Sequence, residues 1–411
     1  MGVKLFNWLN NKDKDFKKLF INAVRFQDGE PYDDSLERLF ESISMKPSND
    51  NIDELSQYFT PVDVAFYTAY NLLKDKNQLN KNEVVFDPSL GKGSLLISAG
   101  IVLAINYGYR DAELISKLYG CEICKDTLDD AIQNIVIGLK DYIVNITHTK
   151  AKSILSKNLV NQDFLSFDFA KDINYLVITN PPYKENKQHN IKNVWIAFIE
   201  KILHSSSVKD IGAIVPVSIS CADRTKSIRN DILTKFNSIL AFHHEIRPRP
   251  LFKGVEQRIS ILILKNNHVT DRKLYKTTGF LTHKSKERMS IWTAKYNTIP
   301  IKYCQNVFPK PFDDEIDFMK AVVDNRQKIA DITDGELTEF WIRTSGRYHL
   351  VSQKNQPDEI TSKWSKKQAP SKQYDYISEQ FSNGNALTWW RIFGDGRDFS
   401  INKFTNTFGC I

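Results

Sequence analysis

Between residues 83 and 265, short apolar runs alternate with stretches whose apolar residues recur every three or four positions. That alternation restricts the architecture more than any other property of the chain. Short apolar runs suit buried strands, and the intervening 3.6-residue period suits helices. The pattern predicts strands at 83–86, 117–121, 159–163, 175–179 and 211–217, and helices at 93–106, 126–139 and 194–203. A helix at 224–235 follows, then strands at 239–246 and 258–265 with no helix between them. Strand–helix alternation builds a parallel sheet covered on both faces, whereas two strands lacking a crossover helix pair antiparallel. The expected fold class is therefore α/β, with the sheet ending in an antiparallel hairpin.

The flanks differ. Residues 1–50, including LFINAVRF and SLERLFESI, have helical apolar spacing and many charges, and are expected to form a helical extension. Past about residue 266 the alternation stops, and 267–411 is expected to form a smaller α+β domain after a central domain at 51–266. No apolar stretch is long enough to span a bilayer, and the first twenty residues are too charged for a signal peptide. With five irregularly spaced cysteines the chain is expected in a reducing cytoplasm. Cys121 and Cys124 have CxxC spacing, but no second ligand pair completes a zinc site, so no metal is expected. Net charge is +7, compatible with nucleic acid but too mild to require it. A local bias says more: from Arg343 to Tyr374, Arg343, Arg347, Lys354, Lys363, Lys366, Lys367 and Lys372 face only Asp358 and Glu359. Tyr348, Trp364 and Tyr374 are interleaved, as phosphate contact and base stacking would require, although a solvated charged face also fits.

Chemistry concentrates where predicted strands end. The apolar run Leu176-Val177-Ile178 stops at Asn180-Pro181-Pro182-Tyr183. Prolines fix φ and donate no N–H, so the Asn180 side chain and the Pro181 carbonyl are left as hydrogen-bond acceptors. Two acceptors side by side suit a planar exocyclic amine, and Tyr183 offers a flat face for a ring. An ordinary strand-exit turn is the plainer reading of these four residues. Asp87-Pro88-Ser89-Leu90-Gly91-Lys92-Gly93 lies between the first predicted strand and helix. Its spacing fits neither a phosphate loop nor a full GxGxxG, whereas an acid beside two glycines suits a zwitterion with an ammonium group. Glu122, with Ile123 after it, ends the second predicted strand, where open α/β sheets bind ribose hydroxyls. Asp163 and Phe164 end the third, offering an acceptor and an aromatic plane for an adenine. Gln57-Tyr58-Phe59-Thr60-Pro61 precedes a helical stretch, with Thr60 the expected N-cap and Pro61 the first helical residue.

Taken in order, these segments resemble the gamma class of S-adenosylmethionine-dependent N6-adenine DNA methyltransferases of bacterial restriction–modification type, over roughly residues 55–265. Phe59-Thr60-Pro61 stands at that family's upstream cofactor segment, and DPSLGKGS matches its Asp-Pro-x-x-Gly-x-Gly loop, which implicates Asp87, Pro88, Gly91 and Gly93. Glu122 and Ile123, and Asp163 and Phe164, stand at its ribose and adenine contacts, and Asn180 to Tyr183 at its catalytic tetrapeptide. Phe252 lies in the segment that supplies a second aromatic for the extruded base. Two departures stand out: Tyr175 lies where an Asp is usual, and Lys92 replaces a small residue in the loop. The resemblance implies a Rossmann-like methyltransferase sheet, a C-terminal target-recognition domain, and S-adenosyl-L-methionine as cofactor. It also implies double-stranded DNA with a flipped adenine as substrate, contacted in part by Arg343, Arg347, Lys363, Lys366 and Lys367, and a cognate restriction endonuclease as candidate partner. Competing readings are methylation of RNA or of a protein glutamine amide, and an inactive DNA-binding specificity module.

Overall fold

The computed structural model describes residues 60–76, 78–183, 193–252, 256–266, 273–282, 294–343 and 350–411, with Val62 described in its backbone only. The expected helical extension at 1–50 lies outside these residues. The chain divides into two compact units, and the division is not a single cut near residue 266. The first comprises Met1–Pro216, Asp231–Lys273 and Leu281–Lys295; the second comprises Val217–Asn230, Leu274–Phe280 and Tyr296–Ile411.

In the first unit the strands are β1 (Glu83–Asp87), β2 (Leu118–Glu122), β3 (Leu159–Asn161), β4 (Asn174–Thr179), β5 (Val208–Pro216), β6 (Ser238–His244) and β7 (Ile259–Lys265). They are ordered β3-β2-β1-β4-β5-β7-β6. The first five run parallel, and β7 is antiparallel to both β5 and β6. The hairpin expected from the missing crossover helix forms, but its second strand inserts between β5 and the first. Every residue of β1 is buried, as a strand covered on both faces requires.

Helices α1 (Val62–Leu73), α2 (Ser94–Tyr107), α3 (Asp111–Ile115), α4 (Lys125–Gly138), α5 (His148–Asn158) and α6 (Val194–His204) flank this sheet. Residues 94–104 of α2 are all buried, consistent with a sequence that is apolar all round the helix. Truncating Leu96 to Ala in that setting would cost about 2–5 kcal/mol. The pattern missed α3 and α5, whose short or lysine-rich sequences show a weaker apolar stripe. Where β6 and β7 pair, the ring of buried His243 meets the Ser260 hydroxyl at 2.8 Å. Beyond the strand ends, Arg258 and Glu245 form a buried ion pair at 2.8 Å. Among the described residues no helix is long and apolar enough to cross a membrane.

The second unit is α+β. Strands β8 (Leu274–Leu281) and β9 (Asn297–Ile299) pair antiparallel. Strands β10 (Leu337–Arg343), β11 (Val351–Gln353) and β12 (Trp364–Pro370) form a separate antiparallel sheet ordered β11-β10-β12. Directly opposed residues share a face, so Phe340 with Lys367 and Ile342 with Ser365 lie on one side. Glu339 with Gln368, Trp341 with Lys366, and Arg343 with Trp364 lie on the other. Helix α7 (Ser371–Ser382) covers the first side, its Tyr374 ring 4.9 Å from Phe340. Buried Arg229 donates to the carbonyls of Ile219, Ala222 and Asn306, and to the Thr225 hydroxyl, tying a run of turns together.

Candidate functional site

Strands β3, β2, β1 and β4 are neighbours and parallel, so their carboxyl ends line one edge of the sheet. Asp163 follows β3, Glu122 ends β2, Asp87 ends β1 and Asn180 follows β4. With strands about 4.8 Å apart, this row covers roughly 15 Å, enough for a nucleoside with a short tail. Four residues that are far apart in sequence are thus brought together, at the edge where open α/β sheets hold ligands.

The glycine loop leaves β1 at Asp87 and enters α2 through Gly93. Gly93 has φ 89°, and a Cβ there would meet Ile135 Cγ1 at 3.1 Å, so both conformation and space call for glycine. Gly120 has the other tight approach: a Cβ would lie 2.8 Å from the Asp87 carbonyl oxygen of the adjacent strand. Asp87 is 1% exposed. Its Oδ1 accepts the Ser89 N–H at 3.0 Å, while Oδ2 has no hydrogen-bond partner among the described residues. Burial, less the Ser89 contact and aided by the Glu122 charge, pushes this carboxyl up to about 7. The Ser89 hydroxyl reaches Thr179 Oγ1 at 3.0 Å and the Asn180 carbonyl at 3.2 Å, joining the loop to the end of β4.

Glu122 is also buried, and burial raises its carboxyl above the usual value despite three backbone contacts. Its Oε2 accepts the Gly91 N–H at 2.9 Å and its Oε1 the Cys124 N–H at 3.0 Å. Ile123, next in sequence, is 58% exposed and presents an apolar surface beside this carboxylate. Asp163 accepts the Leu165 N–H at 2.9 Å, capping a short helical turn. Cys121 is buried within β2, and burial pushes its thiol up to about 12, so it stays a protonated packing group.

At the tetrapeptide, Pro181 is buried, and Asn180, Pro182 and Tyr183 are half-buried. The Tyr183 hydroxyl lies 2.9 Å from Asn180 Oδ1 and 3.1 Å from the Ile214 carbonyl oxygen of β5. The Asn180 Nδ2 donates to the Thr60 hydroxyl at 3.2 Å. Thr60 is not the N-cap of α1. The helix begins at Val62, one residue later than expected, so that position falls to Pro61, whose ring has no side-chain acceptor.

Several aromatic expectations require correction. Phe164 is 2% exposed, with its ring among Phe86, Phe167, Phe169 and Phe198, so it presents no plane to a ligand in this structure. Phe252 is 3% exposed within the same unit's apolar core. Tyr183 is half-buried, with its ring packed against that core and its hydroxyl held by Asn180 and Ile214. Tyr374 is buried against Phe340, a core role in place of base stacking. Lys367 shares its face with Phe340, so it points away from Lys366. Lys366 itself pairs with Glu339 at 2.7 Å, and Lys363 is exposed. Phe59 and Arg347 lie outside the described residues. Sequence reading overlooked Ser89 and Thr179, whose signal was only their position beside Asp87 and Asn180.

The sequence matches the family model described as N-6 DNA methylase over residues 32–323. No curated protein matches it. Among solved structures it is similar to the DrdV–DNA complex, at 11% identity and TM-score 0.49, covering 78% of this chain and 39% of that one. It is similar also to the type ISP restriction–modification enzyme LlaBIII bound to DNA, at 14% identity and TM-score 0.47, covering 70% of this chain and 25% of that one. A third is the methyltransferase subunit of a type I restriction–modification system from Streptococcus thermophilus, at 14% identity and TM-score 0.41, covering 61% of this chain and 58% of that one. The chain thus spans well under half the length of the first two proteins. With the match reaching from residue 32 to residue 323, across the glycine loop, Glu122 and the Asn-Pro-Pro-Tyr segment, the chain belongs to the N-6 DNA methylase family.

Proposed function

We propose that this chain transfers a methyl group from S-adenosyl-L-methionine to the N6 amine of adenine in DNA, as the modification enzyme of a restriction–modification system. The observation that carries the reading is the placement of Asn180 beside the Asp87–Gly93 loop at one sheet edge, its amide oxygen and nitrogen each held by a hydroxyl. The donor set fits the cofactor. A buried carboxylate oxygen lacking a partner suits an ammonium group, Glu122 retains lone pairs for ribose hydroxyls, and exposed Ile123 suits the flank of an adenine. When bound, S-adenosyl-L-methionine supplies an electrophilic sulfonium methyl.

The residues of the chain supply position and polarity. An exocyclic adenine amine is a weak nucleophile because its lone pair is delocalised into the ring. Acceptance of its two N–H groups by Asn180 Oδ1 and the Pro181 carbonyl draws that lone pair out of conjugation and aims it at the methyl. This is orientation and electrostatic preorganisation, without a covalent enzyme intermediate. The target adenine leaves the duplex to reach the site, at a cost of a few kcal/mol. The side of the β10–β12 sheet that faces away from α7, with half-buried Trp341, Arg343 and Trp364 and exposed Lys366, is proposed to contact the DNA. A cognate restriction endonuclease is the proposed partner, and the cytoplasm, where such DNA lies, the proposed location.

The test is direct. Purified protein is incubated with radiolabelled S-adenosyl-L-methionine and unmethylated bacterial DNA, and the DNA is digested to nucleosides. Label in N6-methyl-2′-deoxyadenosine is the expected result. Cofactor binding without label in any DNA nucleoside would reject DNA as substrate and favour RNA or a protein amide. Absence of cofactor binding would favour the specificity-module reading.

A further inference from the structure

The strands of the first unit do not all stop at the same level. Register sets Thr179 of β4 beside Ala213 of β5, Ala213 beside Leu262 of β7, and Leu262 beside Ala241 of β6. At that level β4 ends and the chain turns at Asn180, whereas β5 runs on to Pro216 and β6 to His244. Both are parallel to β4, so they rise past the Asn180 turn by about 10 Å, at roughly 3.3 Å per residue. The order β4-β5-β7-β6 puts β6 three strand spacings from β4, about 14 Å to one side. Asn180 thus lies at the foot of a wall whose far end carries the β6–β7 turn.

That turn is anchored below and basic above. At its base the Glu245–Arg258 pair is buried, and Leu251 and Phe252 are buried in the unit's apolar core. Farther out, Arg247 pairs with Glu256 at 2.7 Å, their side chains 45% and 69% exposed. Arg249 is exposed. Pro248 and Pro250 fix φ on either side of Arg249, so the backbone carrying both arginines is restrained before any ligand arrives. Charge changes sign along the edge: β3, β2 and β1 lead to Asp163, Glu122 and Asp87, whereas the far end presents Arg247 and Arg249. A polyanion is drawn to the second half and kept from the first. All these residues belong to one compact unit.

We infer that Arg247 and Arg249 hold backbone phosphates of the DNA strand beside the extruded adenine, with Glu256 occupying Arg247 until a phosphate replaces it. The inference rests on the adenine-methylation reading given above and adds a strand contact in the unit that carries Asn180. The exchange is favourable because an exposed ion pair is weakly held, while a phosphate offers arginine a charged, bidentate partner. A contact on top of the wall keeps the strand outside while the extruded base reaches down to Asn180.

Fluorescence anisotropy with a labelled duplex of mixed sequence tests it, because phosphate contacts need no recognition site. In the double variant Arg247→Ala, Arg249→Ala, the slope of log affinity against log salt should fall by about two units, one per lost contact. Glu256→Gln should act in the opposite direction, strengthening duplex binding about two- to fivefold at low salt by releasing Arg247. A gain of this kind does not arise from misfolding. Most of it should vanish when Arg247→Ala is also present, as expected for two residues that act as a pair. Affinity for S-adenosyl-L-homocysteine by calorimetry should stay within about twofold of wild type in every variant, since the cofactor half of the edge is untouched. An unchanged slope in the double variant, or a Glu256→Gln gain that is equal with and without Arg247, would overturn the inference. So would cofactor affinity falling in step with DNA affinity, or a slope change seen on RNA of the same sequence but not on DNA. Wild-type protein that follows the expected pattern on the duplex but methylates no adenine would reject the proposed reaction while leaving the arginine contact established. Adenine methylation with an unaltered slope would reject the contact alone.

Discussion

Glu122 Oε2 accepts the Gly91 N–H at 2.9 Å, so a carboxylate at the end of β2 holds in shape the glycine loop that leaves β1. A residue expected to meet a ribose therefore also builds the loop beside it. Glu122→Ala leaves the Gly91 and Cys124 N–H groups without this acceptor and should cost about 1–3 kcal/mol in stability as well as cofactor affinity. Glu122→Gln keeps one accepting oxygen and should retain more of both. Thermal unfolding with cofactor titration checks this. Full stability in Glu122→Ala would mean that the loop holds its shape without the carboxylate.

Asp87 gives a pH signature. Its carboxyl is raised by burial to about 7, well above its unfolded value, so the folded protein holds a proton that the unfolded chain releases. This contribution to stability is greatest below about pH 4, declines as pH rises from about 4 to about 7, and is flat above. Asp87→Asn should remove the decline. Cofactor affinity should run the other way, rising as pH increases through 7, because an ammonium group favours the ionised carboxylate. Calorimetry between pH 6 and pH 7.5 reads the slope; a flat profile in wild type would mean that Asp87 does not meet the ammonium.

Asn180→Ala should reduce kcat by on the order of a hundredfold or more while leaving cofactor affinity near that of wild type, as expected for a contact made in the transition state. The accompanying loss of the Tyr183 and Thr60 contacts predicts a drop in stability of about 1–3 kcal/mol. Single-turnover methylation and thermal unfolding separate the two effects. An equal fall in cofactor affinity and rate would assign Asn180 to the fold.

Lys366 and Lys367, adjacent in sequence, should differ in DNA binding because they occupy opposite faces of β12. Lys366→Ala should reduce the slope of log affinity against log salt by about one unit, as for a lost phosphate contact. Lys367→Ala, on the side covered by α7, should leave the slope unchanged. Fluorescence anisotropy with a duplex over a range of salt concentrations provides the comparison, and equal slopes in both variants would count against this face of the sheet.

The order of strands and helices from 83 to 265 was legible because apolar periodicity is a property of neighbouring residues. The antiparallel closing pair was legible for the same reason, since no helix separates β6 from β7. The insertion of β7 between β5 and β6 was not, because strand neighbours are chosen by packing over the whole sheet. At the site, Asp87, Glu122, Asp163 and Asn180 were recognisable as polar residues ending apolar runs, and strand order alone then placed them in one row. Aromatics misled: the rings of Phe164, Phe252 and Tyr374 could serve a core as well as a ligand, and burial put all three in cores.

By itself, then, the sequence determined the α/β class, the positions of the loop and tetrapeptide, and the family to which they point, all features written in short segments. Tertiary structure alone decided that Thr60 meets Asn180 across 120 positions of chain, that Tyr183 turns its hydroxyl inward, and that Lys366 and Lys367 part company. The physical reason is common to all three. A side chain's partner depends on which distant backbone delivers an acceptor within about 3 Å and on which side of a pleated strand the residue falls, and neither is encoded in the neighbouring residues.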